Sequence, residues 1–376
     1  MYRKPHNARR KGQERHVPEA KPEESVPHGT CTTMCPISEV RRRETQRQLH
    51  QFELERGTEK ERIPRADLSR AVKEYSRPAA GKDSTRACDL RPPDVLFKTV
   101  CYLVDEIAAS PTLQPWTEVY SFVFDRLRSV RQDMVIQRVS GRECVVVLER
   151  IVRFHLYASY RLCGEPLRLY DPHINDTHLQ ECLSWLLECY KEGHNQHQAE
   201  FQAISLLYNL GSTRTLQCAL ELPERVRFSP SVQLALAVNR AYIEHNPVRL
   251  LRLAKKLDFI QACALHRHLL PCRSDLLLLY SHGHNSRNCH FPIQKLADLL
   301  FLERSLAGQL CQEHGIQVNG DCVVFSKASF CESSCKELKC AQMHKLLVDD
   351  KQQDHTVGSI IHGTVCTKIM RQNIQY

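Results

Sequence analysis

The sequence predicts an all-α solenoid of irregular helical hairpins followed by a C-terminal winged helix, with disordered tails at both ends. Three observations carry that prediction. Glycine and proline are sparse, 14 and 18 of 376 residues, which favours helices over a many-turned β architecture. From Pro93 onward, apolar residues recur at helical spacing in one segment after another. Near residue 316 the period changes, and Asn319-Gly320 separates two β-branched runs. That dipeptide is the strongest short hairpin signal, because a type I′ turn needs positive φ at both central residues.

Residues 1–28 are polar and aperiodic and read as a disordered basic arm. Residues 29–93 form an extended segment. From about Arg56 it contains Gly57, Pro64, Pro78, Gly81, Pro92 and Pro93 without a helical period, so it packs along another surface or stays mobile. The solenoid spans 94–285. Val95 to Ala109 is helical and stops at Ser110-Pro111, and Val119 to Ile136 aligns Phe122, Val123, Leu127, Val130 and Met134 on one stripe. Val145 to Leu162 is apolar almost all round apart from Arg150, Arg153 and His155, as a central buried helix would be. Further helical patterns cover 178–191, 198–210, 213–221, 231–245, 247–256, 258–270 and 273–280. Brief connectors such as Gly164-Glu165-Pro166, Gly211-Ser212 and Asn246-Pro247 force antiparallel neighbours, and successive hairpins then stack. No fixed-period repeat is present, so the solenoid is irregular.

The winged helix occupies 286–330. Phe291-Pro292 opens a helix with the stripe Ile293, Leu296, Leu299 and Leu300, and Glu303 to His314 forms a second, ended by Gly315. The hairpin at Asn319-Gly320 completes the order helix, helix, hairpin. Residues 331–376 lose the pattern and read as a mostly disordered tail.

Composition excludes several classes. No stretch approaches the ~20 apolar residues of a membrane helix, and Met1 to Lys11 is basic without the apolar core of a secretory signal. The chain reads as intracellular, in the nucleus or the cytoplasm. The 18 cysteines are scattered through helical patterns, as at Cys144, Cys182, Cys189, Cys218 and Cys263, and in a reducing compartment serve as small buried hydrophobes. Phosphate-cradling loops, nucleophile elbows, dinucleotide fingerprints and H-E-x-x-H motifs are all missing, so no enzyme is expected. Three clusters carry metal-ligand residue types: Cys31 with Cys35; His282, His284, Cys289 and His290; and Cys331, Cys335, Cys340 and His344. None has the two tight pairs of a structural zinc site, and neither a metal nor a cofactor is expected.

The net charge of +9 permits attraction to nucleic acid or an acidic protein. On the helix through Asp125 to Asp133, Arg128 and Arg131 fall away from the apolar stripe with Phe124. They would hold phosphate or an acidic partner, or else form salt bridges between neighbouring helices, which is the plainer reading. In the terminal module Lys295, Arg304 and Lys327 would flank a groove beside the wing. Glu303 and Glu313 dilute that charge, which argues against sequence-specific major-groove reading. The runs Arg9-Arg10-Lys11 and Arg41-Arg42-Arg43 are of the kind a nuclear signal uses, and are equally common as solvated surface.

Several of these segments resemble the GANP family, named for the germinal-centre-associated nuclear protein. The matching strings are Gly29-Thr30-Cys31-Thr32-Thr33-Met34-Cys35-Pro36, Arg43-Glu44-Thr45, Val72-Lys73-Glu74-Tyr75-Ser76-Arg77, Leu90-Arg91-Pro92 and Asp125 through Asp133. Arg153-Phe154-His155 and Glu200-Phe201-Gln202-Ala203 extend it into the helical body, so that it covers about residues 29 to 330. The resemblance implies the PCI arrangement, a helical-repeat body closed by a winged helix, acting as a scaffold in messenger-RNA export. It further implies pairing with a second PCI-domain protein and a small acidic partner protein, with RNA bound across the joined winged helices. Phe-Gly repeats, an acetyltransferase-like region and a long centrin-binding helix are not found, so a short family module is expected. The family's link to centrin makes a centrosome or spindle adaptor, working through protein contacts alone in centrosome duplication and mitotic progression, the alternative.

Overall fold

Capping residues in the sequence set many of the helix starts. In the computed structural model, which describes residues 26–77, 86–193, 196–286, 288–332, 343–353 and 355–363, the first helix is α1 (Ile37–Gln46), within the segment expected to be extended. After it come α2 (Pro93–Tyr102), continued by one π-helical stretch over Leu103–Ala108, then α3 (Trp116–Ile136) and α4 (Gly141–Arg161). Asp171 accepts from the His173 amide to start α5 (Pro172–Cys189), with Pro172 at the first helical position. Next is α6 (Gln198–Tyr208), and Ser212 then caps α7 (Thr213–Leu220). A short α8 (Glu224–Arg227) leads into α9 (Pro230–Ile243), and Asn246 caps α10 (Pro247–Ala254). A capping box of Asp258 and Gln261 opens α11 (Phe259–Gly283).

Two expectations change here. The segments expected as two helices over 258–270 and 273–280 form one helix of 25 residues, Phe259–Gly283. Pro271 costs the helix a single amide donor, and the buried side chains of Leu269, Cys272, Leu276 and Leu277 hold the axis through it. The stack is also more closed than a solenoid whose helices touch only sequence neighbours. Helix α11 packs on α10 and also on α4 and α6, because it is long enough to cover two layers. Helix α4 lies at the centre against α2, α5 and α11, and 15 of its 21 residues are buried.

The C-terminal module contains β1 (Phe291–Pro292), α12 (Ile293–Leu300), α13 (Arg304–Glu313), β2 (Gln317–Asn319) and β3 (Cys322–Val324). The sheet is antiparallel in the order β1-β3-β2, with Val323 facing Phe291 and Val318. Pro292 caps α12 from within β1 and does not open the helix. The turn sits one residue later than the sequence suggests. Asn319 pairs with Cys322, the two-residue loop is Gly320-Asp321, and positive φ falls on Gly320 at 59° but not on Asn319. That is the pattern of a turn with Gly first.

The basic arm over 1–25 lies outside the described residues, as do 333–342 and 364–376. Within the expected disordered tail, however, residues 343–353 and 355–363 fold back onto the body. Helix α14 (Val357–His362) packs on α4 and the π-helical stretch. Ile361, Leu347 and Val348 are buried in the main core, and Lys351 Nζ bonds the Ala254 and Lys255 carbonyls at 3.2 and 2.8 Å, at the end of α10. Sparse apolar residues between Lys, Gln and His hide this docking, because only the neighbouring helices make it favourable. Ile361→Ala should therefore cost about 2–4 kcal/mol in urea unfolding, and no loss would mean that α14 does not pack.

Candidate interaction surfaces and the buried ion framework

The charged residues of the motif strings converge on one face of α3. Asp133, fully buried, receives Lys73 Nζ at 2.7 Å and Arg91 Nε at 2.8 Å. Arg91 continues to the Ser129 hydroxyl at 2.9 Å and the Met34 carbonyl at 3.2 Å. Glu53 is equally buried and receives Arg43 at 2.7 Å, the Val72 amide at 2.9 Å and, from two turns back along α3, Arg126 at 3.1 Å. Glu74 bridges the same two guanidiniums, at 3.4 Å from Arg43 and 3.2 Å from Arg126. Burial alone would push the Glu53 carboxyl up, but Arg126 and Arg43 outweigh it and hold it below its ordinary value.

The remaining motif residues serve the same frame. Arg43 donates to the Cys35 sulfur at 3.3 Å, and burial pushes that thiol up to about 12, so Cys35 is a neutral packing residue. A Cβ on Gly29 would stand 2.5 Å from the Leu90 carbonyl oxygen, so only glycine fits there. In the body, Arg153 forks onto Glu200 with two bonds of 2.7 Å and lies 4.8 Å over Phe201. His155 Nδ1 meets Asn175 at 2.8 Å, and burial lowers it to about 3, so it is neutral. Because buried charges without partners are costly, these pairs tie the N-terminal segment to α3.

The five candidate cations do not meet in one patch. Arg128 stacks on Tyr75 at 3.9 Å, and Arg131 binds Glu181 at 2.6 Å and His178 at 2.8 Å. Arg131 thus makes a salt bridge from α3 to α5, as in the plainer reading, whereas Arg128 is half-buried and has no carboxylate ion-pair partner among the described residues. Lys295 and Lys327 are exposed on the C-terminal module, where Arg304 is paired with Asp321 and Glu303 with Lys345. Asn319 and Gly320 are exposed at the hairpin tip. Cys289 lies 3.7 Å from His284, Cys335 and Cys340 fall outside the described residues, and among the described residues no group of three or more ligand-type side chains gathers as for a metal. No described helix is long and apolar enough to cross a membrane. The ion framework itself was not foreseen, since Arg126 and Glu53 are 73 residues apart.

The fold class is a helical body, its motif residues largely committed to internal packing, followed by a small helix-and-hairpin module. The SAC3/GANP family model matches residues 34–320, and the chain belongs to that family. It is 27% identical to SAC3 family protein 1 of Schizosaccharomyces pombe over 89% of this chain and 35% of that protein. It is 28% identical to Protein xmas of Drosophila melanogaster over 89% of this chain and 16% of that protein. SAC3 family protein B of Arabidopsis thaliana is 27% identical over 77% of this chain and 18% of that protein. The chain thus spans about a third or less of these relatives.

Asp133→Asn should cost about 3–5 kcal/mol in denaturant unfolding, because it strands Lys73 and Arg91 in the interior. Glu53 adds a pH dependence. Its folded value lies below the unfolded value of about 4.5, so its stabilisation is complete above that pH and lost as pH falls through the folded value. Glu53→Gln should therefore be less stable at neutral pH and lose less stability on acidification. An identical acid profile would remove Glu53 from that account.

Proposed function

We propose that this chain is a non-enzymatic PCI-type scaffold of the messenger-RNA export class, working in the nucleus or the cytoplasm. Its C-terminal module acts as a winged helix that pairs with a second PCI-domain protein, beside a small acidic partner protein. The observation that carries this reading is the division of labour between the two ends. The motif charges near the N-terminus are spent on internal pairs, whereas β2 is an edge strand of the sheet with Gln317 and Asn319 exposed. An open edge of three residues is suited to pairing with another chain. RNA contact at this end falls to Lys295 and Lys327, because Asp321 already occupies Arg304, and is shared with the partner's module.

A tagged chain purified from its own cells should bring down a stoichiometric PCI-domain protein. Gln317→Lys with Asn319→Lys should abolish that capture with thermal unfolding unchanged, since edge lysines oppose strand pairing. Recovery of the full chain without such a partner, or undiminished capture by the double variant, would overturn the pairing. RNase-insensitive concentration at the spindle poles would favour the centrosomal adaptor instead.

A further inference from the structure

Helix α6 is packed by α5, α7, α9 and α11, yet one of its faces is polar where such a stack needs apolar groups. Gln198, Gln202 and Ser205, with Asn209 at the C-terminal cap, stand at i, i+4, i+7 and i+11. That spacing keeps all four within about 60° of one another around the axis. They form the floor of a groove of about 910 Å³, walled by α5 at Leu187 and by α7 at Cys218.

The floor is buried and unsatisfied. Gln198 and Gln202 are 9 % exposed and Ser205 is 7 % exposed. Among the described residues none of these three side chains makes a hydrogen bond. Asn209 differs, since it accepts from Gln180 Nε2 at 2.7 Å and donates to the Ser205 carbonyl at 3.1 Å. Polar groups this far from bulk water are ordinarily bonded, so the floor is built to exchange hydrogen bonds with something outside the chain.

The lining narrows what that is. An amide side chain both donates and accepts, as a peptide unit does. From Gln198 to Asn209 the floor rises about 16.5 Å, the reach of about five extended residues. Leu187 and Leu222, both half-buried, add apolar surface for a side chain. The charges oppose other occupants. Glu188, Glu192 and Glu221 line the groove against Lys191 and Arg214, and Lys191 is paired with Glu188 at 2.6 Å. A carboxylate majority suits neither a nucleic-acid backbone nor an acidic protein, whereas a neutral main chain is indifferent to it. Tyr190 alone among the lining residues is aromatic, and its hydroxyl is given to Glu149 at 2.7 Å. The groove therefore lacks the aromatic walls typical of small-molecule pockets.

We propose that this groove binds an extended polypeptide segment of another protein. Gln198, Gln202 and Ser205 grip its main chain, and an aliphatic side chain of the segment rests against Leu187 and Leu222. The site is built from elements other than the β2 edge, so it stands apart from the pairing proposed there.

The probe is a phage-displayed random library of peptides about seven residues long, selected on the full chain. The enriched peptides should carry an aliphatic residue and shield the exposed Cys218 thiol from iodoacetamide, read by mass spectrometry. Replacing their central amide by an ester should weaken binding at least about tenfold, as should Gln202→Ala with Ser205→Ala in the protein. Neither side chain has an internal partner to lose, so thermal unfolding of that variant should not fall. If it does, Cys218→Trp, which fills the groove from its exposed wall, carries the test with the same loss. No enrichment over a blank surface, Cys218 left open to alkylation, or full affinity of the ester peptide or of the variants overturns the proposal. Displacement of the peptide by RNA overturns it in favour of nucleic acid. Self-association that Cys218→Trp abolishes overturns it in favour of a second copy of this chain.

Discussion

Two buried carboxylates organise the N-terminal third of this protein. Asp133 and Glu53 together gather Lys73, Arg91, Arg43 and Arg126, drawn from four separate stretches of chain. In a low-dielectric interior each group is tolerable only while its partners remain. The segment before α2 has few regular elements of its own, so this set of pairs, with the Val72 and Met34 backbone bonds, positions α1 and the loops around it.

That frame explains why the motif strings are long and charged. Arg43-Glu44-Thr45 supplies an interior guanidinium, a carboxylate that fixes the 61–66 loop and a hydroxyl that donates to the Arg41 carbonyl. Val72-Lys73-Glu74-Tyr75 supplies three ion pairs and the ring on which Arg128 stacks. The cost of burying these charges is offset by near-complete pairing. The opposite end is built differently, around apolar packing of α12 and α13 and a short sheet with an open edge. A small separate cluster of Cys35, Val40, Ala66 and Ala71 lies under α1, apart from the main core.

The fold-back of 343–363 adds a second long-range constraint. Gly363, at φ 77°, rests against the Arg153 guanidinium that Glu200 holds, and a Cβ there would lie 2.5 Å from it. His362 meets Arg150 at 3.0 Å and Asp105 at 2.8 Å. The C-terminal segment therefore closes over the central helix through contacts that no local pattern announces.

The sequence by itself determined the helices, through apolar spacing and through caps at Asp171, Ser212, Asn246 and Asp258, and it determined the hairpin near Gly320. These are local properties, legible because periodicity and turn chemistry act over a few residues. It also left the Arg128 and Arg131 alternatives open, since an arginine off the apolar stripe looks the same whether it meets solvent or a neighbouring helix. Tertiary structure alone decided the pairing of Arg131 with Glu181, the continuity of α11 through Pro271, the docking of α14, and which arginines of the N-terminal segment are interior. The reason is physical. An ion pair between residues 73 positions apart depends on the path of the chain, and burial of a charge is set by what arrives from elsewhere to meet it.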